Sequence, residues 1–341
     1  MIQDNHSILI IEMGGIGDLV MAIPAVRAIR QNYPNSYIAL LVVKRAEMLL
    51  KGCPYINEVF TFEIENFTFS KYAFNLERTF HLLKTIIVLR GKKFNLAVNL
   101  HRIASFWGSL RMRIFLKVLR PEVCVGRDTD KRGSFYDIKL EESLDNSEHE
   151  VETKTRIVKL FNIAINNKDL ELWLSDDDKE YADGVFSKYG IANDDLIVGI
   201  NPNSAQASKL WFDNRFAELA DTLSMKYNAK LIFFGSVKNK KRIKRILSLT
   251  KSNAINLAGK VTLSQYAALI KKLKVFITLD SGPMHIASVF KTPTVVIFGS
   301  GNYYKFSPYH NENSIIIKKE RMRAISVSDV ISSFEELVKK I

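Results

Sequence analysis

One pattern, short β-branched runs alternating with helix-length amphipathic stretches, occurs twice along this chain, and it restricts the fold more than any other feature. Strands separated by helices cannot pair as hairpins; they need crossover connections and therefore form parallel sheets covered by helices. In the first half the predicted strands are SILIIEM (7–13), YIALLVV (37–43), EVFTF (58–62), NLAVNL (95–100) and VCVG (123–126). A polar stretch from DTDKRGSFYD to EESLDNSEHE follows, then a helix near 150–164 and a looser segment around NNKDLELWLSDDD. The pattern restarts at DLIVGINP (195–202) and runs through AKLIFFGS (229–236), INLAG (255–259), KVFITLD (274–280) and TPTVVIFGS (292–300). Two starts predict two Rossmann-like domains, 1–167 and 168–325, with an amphipathic closing helix over 326–341. Thr262 with Gln265, and Ser326 with Asp329, have the spacing of reciprocal helix caps. A chain of 341 residues also exceeds the size at which a single core keeps growing.

Ligands of such sheets bind beyond the carboxyl ends of the strands, so the loops there are where chemistry is sought. In ITLDSGPMHIASVF (277–290) a strand ends at Asp280, Ser281 and Gly282 form the turn, and Pro283 stands where a first helical turn accepts proline. Free N–H groups at that helix start make a phosphate site, and His285 lies one turn further; a plain turn with a satisfied histidine is the competing reading. The loop INPNSAQASKLW (200–211) holds Ser204, a hydroxyl donor, and Lys209, a mobile point charge suited to a diphosphate. EMGGIGDLVMAIP (12–24) lacks GxGxxG spacing, and no acidic residue ends the second strand, so a dinucleotide cofactor is not indicated. Gly14, Gly15 and Gly17 keep side chains away from Asp18, which could cap a helix or take a proton from a bulky acceptor.

The net charge of +13 favours anionic partners. In SFWGSLRMRIFLKVLR (105–120), Trp107, Leu110, Ile114 and Val118 fall on one helical stripe and Arg113, Lys117 and Arg120 on another, which predicts a basic face; a solvated helix face is the competing reading. A second cluster comprises Lys238, Lys240, Lys241, Arg242, Lys244 and Arg245. No helix-turn-helix, RNP-like or zinc signature accompanies these cations, so nucleic acid is not an expected partner. Cys53 and Cys124 are too few for a disulfide framework or a zinc site and suit a reducing cytoplasm. No run approaches the roughly 18 apolar residues that a membrane helix needs. Two DxD pairs, Asp128-x-Asp130 and Asp176-x-Asp178, fit a charged loop and an acidic first helical turn better than a metal site, so no metal is expected.

Together, GGIGDLVMAIPAVRAI, NPNSAQASKLW and the run from INLAGKVT to TVVIFG, in this order, resemble the family 9 glycosyltransferases, which include the lipopolysaccharide heptosyltransferases. The resemblance runs from about residue 7 to the final helix. It implies an α/β GT-B fold: two facing Rossmann-like domains with parallel sheets and a deep interdomain cleft, the first binding the acceptor and the second the nucleotide sugar. It implies inverting, metal-independent transfer, with heptose from ADP-heptose as the expected donor and a lipopolysaccharide core or related surface glycan as acceptor. By that likeness Asp18 is the catalytic base, with Gly14, Gly15 and Gly17 lining the acceptor-side loop. Lys209, Ser281 and Gly282 would hold the donor diphosphate with Ser204 and His285 near it, and Asp280 would contact sugar hydroxyls. The partners implied are a nucleotide sugar and a phosphorylated glycolipid, met in the cytoplasm at the anionic inner-membrane surface, with no cofactor. Two departures stand out. The family often places an acidic residue for the ribose after the strand LIFFGS, where this chain has VKNKKR, and Pro202-Asn203 replaces a frequent Pro-Gly. Another nucleotide sugar, a protein acceptor, or a catalytically silent binding protein on the same fold remain open alternatives.

Overall fold

A strand covered by helices on both faces is apolar almost throughout rather than alternating, and β1 (Ser7–Glu12, SILIIE) and β2 (Tyr37–Val43, YIALLVV) are buried from their second residue onward. The computed structural model describes residues 5–62, 76–299 and 301–340. Ser300 and Ile341, which end the predicted strand 292–300 and the predicted closing helix, lie outside them. The chain divides into two compact units, Met1–Trp173 and Leu174–Ile341.

The first unit continues from β1 through α1 (Ile16–Asn32), β2, β3 (Glu58–Phe62), α2 (Leu76–Gly91), β4 (Leu96–Asn99), α3 (Phe106–Leu119), β5 (Val123–Thr129), β6 (Ile138–Glu142) and α4 (Glu150–Lys159). Its strands form one parallel sheet in the order β3-β2-β1-β4-β5-β6. The second unit runs α5 (Asp176–Lys188), β7 (Ile197–Asn201), α6 (Asp213–Tyr227), β8 (Lys230–Phe233), α7 (Lys240–Leu249), β9 (Ile255–Asn256), α8 (Leu263–Lys272), β10 (Val275–Leu279), α9 (Gly282–Val289), β11 (Thr294–Phe298), α10 (Tyr303–Phe306), β12 (Ser314–Lys318) and α11 (Val327–Val338). Its order, β12-β11-β10-β7-β8-β9, is the same winding in a second copy. In each sheet the direction of winding reverses beside the first strand, between β1 and β4 and between β7 and β10. Loops leaving these paired strand ends diverge and open a crevice, the usual ligand position of such sheets.

Three sequence expectations are adjusted. The polar stretch after residue 127 contains β6, and the segment before the closing helix contains β12; both are half-exposed edge strands, whose periodicity is weak because only one neighbour and little core constrain them. The division between units falls a few residues beyond 167, because Arg27 reaches Glu171 at 3.0 Å and the carbonyls of Asn167 and Asp169 at 2.9 and 3.0 Å, holding that segment to α1. The third concerns α3. Its inward face is Phe115, Leu116 and Leu119, so Trp107, Leu110 and Ile114 lie exposed on the same stripe as Arg113 and Lys117. Packing against α2 sets this phase, which a helix with apolar residues on both sides leaves undetermined in sequence. Both reciprocal caps form as spaced, at Thr262 with Gln265 and Ser326 with Asp329.

Candidate active site

In the first unit the loop after β1 carries Gly14 and Gly15 into α1, whose N-cap is Gly15. Asp18 is therefore not the N-cap but the third helical residue. Its Oδ2 accepts from the Gly15 N–H at 2.7 Å, the reach-back of a capping box, which a glycine N-cap completes only halfway. A Cβ on Gly14 would stand 2.5 Å from the Asp18 Cβ, so this glycine is required by close approach. Gly17 is buried in the same turn. Asp18 retains access to solvent at the carboxyl edge of the sheet although protein surrounds most of its carboxyl group.

Behind it lies a buried charge network. Glu12, the last residue of β1, accepts from Lys154 of α4 and from the Gly14 N–H (3.0 Å), and its Oε1 lies 3.4 Å from His101 Nδ1 after β4. Lys154 also donates to the Leu100 carbonyl at 3.2 Å. Arg127 of β5, wholly buried, bridges Glu142 (2.9 Å) and Glu150 (2.7 Å), and Glu150 lies 3.9 Å from Lys154. Burial would push Glu12 up, but the Lys154 charge and the His101 hydrogen bond outweigh it and hold the carboxyl at about 2. Asp18 moves the other way. Burial raises it, the Glu12 charge raises it further, and Lys154, His101 and the Gly15 N–H offset only part. An oxygen base whose pKa is raised is a better proton acceptor while it stays ionised at neutral pH.

In the second unit Asp280, Ser281 and the loop of Ser204 and Lys209 meet at the corresponding edge. Ser281 is the N-cap of α9 but makes no capping bond; its hydroxyl donates to the Leu279 carbonyl (3.1 Å) and accepts from Asn201 (3.1 Å). The first-turn N–H groups from Gly282 onward are thus left without a side-chain cap, and Pro283 supplies none of its own. Lys209 Nζ lies 2.6 Å from Asp280 Oδ2, and both side chains are largely buried. Burial raises Asp280, with Lys209 pulling it back. Ser204 donates to the Asp280 carbonyl at 3.3 Å. A Cβ on Gly301 would fall 2.4 Å from Asp280 Oδ2, so that loop needs glycine to pass. His285 is buried within α9.

Several residues here were not singled out from the sequence: Glu12, His101, Lys154 and Arg127 in the first unit, and Asn201, Asn203 and Thr278 in the second. Asn201 braces both loops, donating to Thr278 and Ser281 at 3.1 Å and to the Asn203 carbonyl at 3.3 Å. A signal existed: Glu12 and Asn201 are polar residues ending otherwise apolar strands. The second basic cluster is partly structural, since Arg242 bonds Asp213 (2.8 Å) and the carbonyls of Trp211 (2.6 Å) and Pro202, fixing the loop that bears Lys209. Both DxD pairs are engaged locally. Asp128 accepts from the Gly133 N–H (2.8 Å), Asp130 pairs with Arg132 (3.1 Å), Asp178 accepts from Ser264 (2.8 Å) and Asp176 pairs with Lys179 (2.8 Å).

A family model described as glycosyltransferase family 9 (heptosyltransferase) matches residues 84–331. The chain is 24% identical to the lipopolysaccharide core heptosyltransferase OpsX of Haemophilus influenzae over 91% of its own length and 84% of that protein. Among solved structures it superposes on a family 9 glycosyl transferase from Veillonella parvula (TM-score 0.83, 20% identity, 99% of this chain and 98% of that one). It likewise superposes on the ADP-heptose lps heptosyltransferase II of E. coli (TM-score 0.74, 21% identity, 98% and 99%). These likenesses, spanning nearly the whole chain, show the GT-B fold.

Proposed function

The chain belongs to glycosyltransferase family 9, and from that premise we propose that it moves heptose from ADP-heptose onto a lipopolysaccharide core or related surface glycan with inversion at the anomeric carbon. The observation that carries the reading is Asp18: a carboxylate at the reversal point of the first sheet, reachable from solvent, with its pKa raised by burial and by Glu12. In this reading an acceptor hydroxyl attacks the anomeric carbon and the bond to the diphosphate oxygen breaks. Asp18 takes the hydroxyl proton, and the transition state has oxocarbenium character. Gly14, Gly15 and Gly17 give the acceptor room at the base.

The second unit would receive the leaving group. The uncapped start of α9 at Ser281 and Gly282 offers N–H donors, and Lys209 supplies a positive charge. Lys209 is held by Asp280 in the free protein; on donor binding it would turn to the diphosphate, and Asp280 would be released to the sugar hydroxyls. Ser204 would donate to a phosphate oxygen, and His285 would support α9 from within. Lys209 and α9 neutralise the diphosphate in this scheme, which therefore runs without a metal ion. Acceptor phosphates would meet Arg113, Lys117 and Arg120, and the acceptor would be reached at the cytoplasmic face of the inner membrane.

The likeness to the ADP-heptose lps heptosyltransferase II of E. coli supports the donor. The loop after β8, with Lys238, Lys240 and Lys241 and no acidic residue, favours testing other nucleotides beside it. The experiment is product formation from ADP-heptose, with GDP- and UDP-sugars in parallel, on truncated lipopolysaccharide acceptors, using wild type and Asp18→Asn. Transfer from ADP-heptose that falls about 10²–10⁴-fold in the variant, with ADP binding retained, is the expected result. Near-wild-type transfer by Asp18→Asn would remove the base assignment. Nucleotide binding without transfer from any donor would favour the silent binding protein.

A further inference from the structure

Where the winding of the first sheet reverses, β4 ends beside β1 and carries a polar group that the transfer scheme leaves unused. The last residue of β4, Asn99, is 1% exposed, and its amide clamps the loop beyond it. Its Nδ2 donates to the His101 carbonyl at 3.0 Å and to the Tyr136 hydroxyl at 2.7 Å, and its Oδ1 accepts from the His101 N–H at 3.1 Å. The Tyr136 ring lies so close to β5 that a Cβ on Gly126 would meet it at 2.5 Å, which anchors the clamp in the core. Asn201 ends β7 and braces the loops of the second unit by the same device. The His101 side chain is held as well, because its Nδ1 lies 3.4 Å from Glu12 Oε1, and Glu12 is itself fixed by Lys154 and the Gly14 N–H. An ionised carboxylate can only accept, so in a neutral imidazole set this way the proton is on Nδ1 and the lone pair on Nε2. The side chain is 35% exposed, and Nε2 bonds no described residue.

We propose that His101 binds the acceptor sugar, its Nε2 accepting a hydrogen bond from a second hydroxyl while Asp18 accepts from the attacking one. The two groups stand on adjoining loops of one sheet edge, near enough for their charges to interact. The chemistry they share selects the ligand. A carboxylate and an imidazole lone pair are both acceptors, and two O–H groups of one sugar satisfy both. A phosphate or carboxylate at the same place would instead set negative charge against Asp18 and Glu12. One hydroxyl on Asp18 leaves the sugar free to turn about that bond, whereas a second contact fixes which hydroxyl meets the base. Rigid backing suits this task, since Asn99 fixes the backbone of His101 and Glu12 its ring. His101 is then a specificity determinant, choosing acceptors that carry a second hydroxyl at the right distance from the reacting one. This deepens the transferase reading and rests on it.

Two substitutions separate the ring nitrogens. In His101→Asn the amide can take the place of Nδ1 and keep Glu12, whereas in His101→Gln the longer amide reaches the place of Nε2 and can face the hydroxyl with either heavy atom. The assay is transfer by the full chain onto a delipidated lipopolysaccharide core acceptor and its monodeoxy series, with hydrogen exchange of β1 and β4 amides reporting that the first unit is folded. His101→Asn should lower kcat/KM for the acceptor by about 5–50-fold, the worth of a lost hydrogen bond to a substrate hydroxyl, and His101→Gln should recover most of that loss. One monodeoxy acceptor should lose a similar factor with the wild type and nothing further with His101→Asn, because variant and acceptor remove the same contact. A role confined to bracing Glu12 predicts the opposite order, His101→Asn mild and His101→Gln severe. That order, or losses that multiply in His101→Asn for every monodeoxy acceptor, overturns the proposal. So does a wild type indifferent to removal of every hydroxyl except the attacking one, a result that needs no variant to fold. In these three cases the wild type transfers sugar and the inference alone falls; a wild type that transfers to no acceptor removes the transferase reading and the inference with it.

Discussion

Lys154→Met tests the buried network beneath Asp18 most directly. Lys154 and Glu12 are 1% and 0% exposed and pair with each other, so removing the cation leaves a carboxylate in the interior with only the Gly14 N–H and the partly exposed His101. Glu12 titrates at about 2 instead of 4.5 in the intact protein; at about 1.4 kcal/mol per pH unit, that depression corresponds to about 3 kcal/mol favouring the folded state. Breaking a buried pair by removing one partner costs about 3–5 kcal/mol in general, which agrees. The sign follows from the direction of the shift. Because the folded value is depressed, the stabilisation is full above pH 4.5 and is lost as pH falls toward about 2. In Lys154→Met burial, opposed only by His101 and the Gly14 N–H, raises Glu12 instead, so the cost is largest at neutral pH and shrinks in acid as the carboxyl protonates. Native-state hydrogen exchange of β1 and α4 amides reads the first unit by itself. It should show about 3–5 kcal/mol lost at pH 7 and less near pH 5, with Glu12→Gln/Lys154→Met recovering most of the difference. A loss below about 1 kcal/mol, or one equal at both pH values, would refute the coupling. Since Lys154 also holds Asp18 down, the acid limb of kcat/KM should move to higher pH in the same variant.

Gly14→Ala forces a Cβ to within 2.5 Å of the Asp18 Cβ, so a displaced base and a kcat lower by about 10²-fold are expected, with ADP affinity unchanged by calorimetry; an unaffected kcat would show that the close approach is dispensable. Lys209→Met removes the cation beside Asp280 and should weaken ADP binding by about 10–100-fold, the worth of one charge-assisted hydrogen bond; unchanged affinity would take Lys209 out of the diphosphate site. Asn201→Leu deletes the donor shared by Thr278, Ser281 and Asn203 and should cost about 1–3 kcal/mol of second-unit stability while loosening the ADP site, which thermal unfolding with and without ADP would detect.

What the sequence determined by itself was whatever depends on local period and local chemistry. The alternation of SILIIEM-like runs with helices entails parallel sheets, its restart near 195 entails a second copy, and Pro283 after Ser281-Gly282 marks a helix start at a strand end. These signals are read over a few residues, because a buried parallel strand must be apolar on both faces and a helix start must answer its own free N–H groups. What only the tertiary structure decided are relations between distant segments. No spacing links Glu12 to Lys154, yet α4 packing on α1 places them in contact beneath Asp18, which burial and the Glu12 charge raise and Lys154 lowers. The phase of α3 was likewise undetermined until α2 took one of its two apolar sides, which left Trp107, Leu110 and Ile114 outside beside Arg113 and Lys117. Edge strands β6 and β12 were missed for the same reason in reverse: lacking a second neighbour, they carry little pattern of their own and are strands because a sheet is there to receive them.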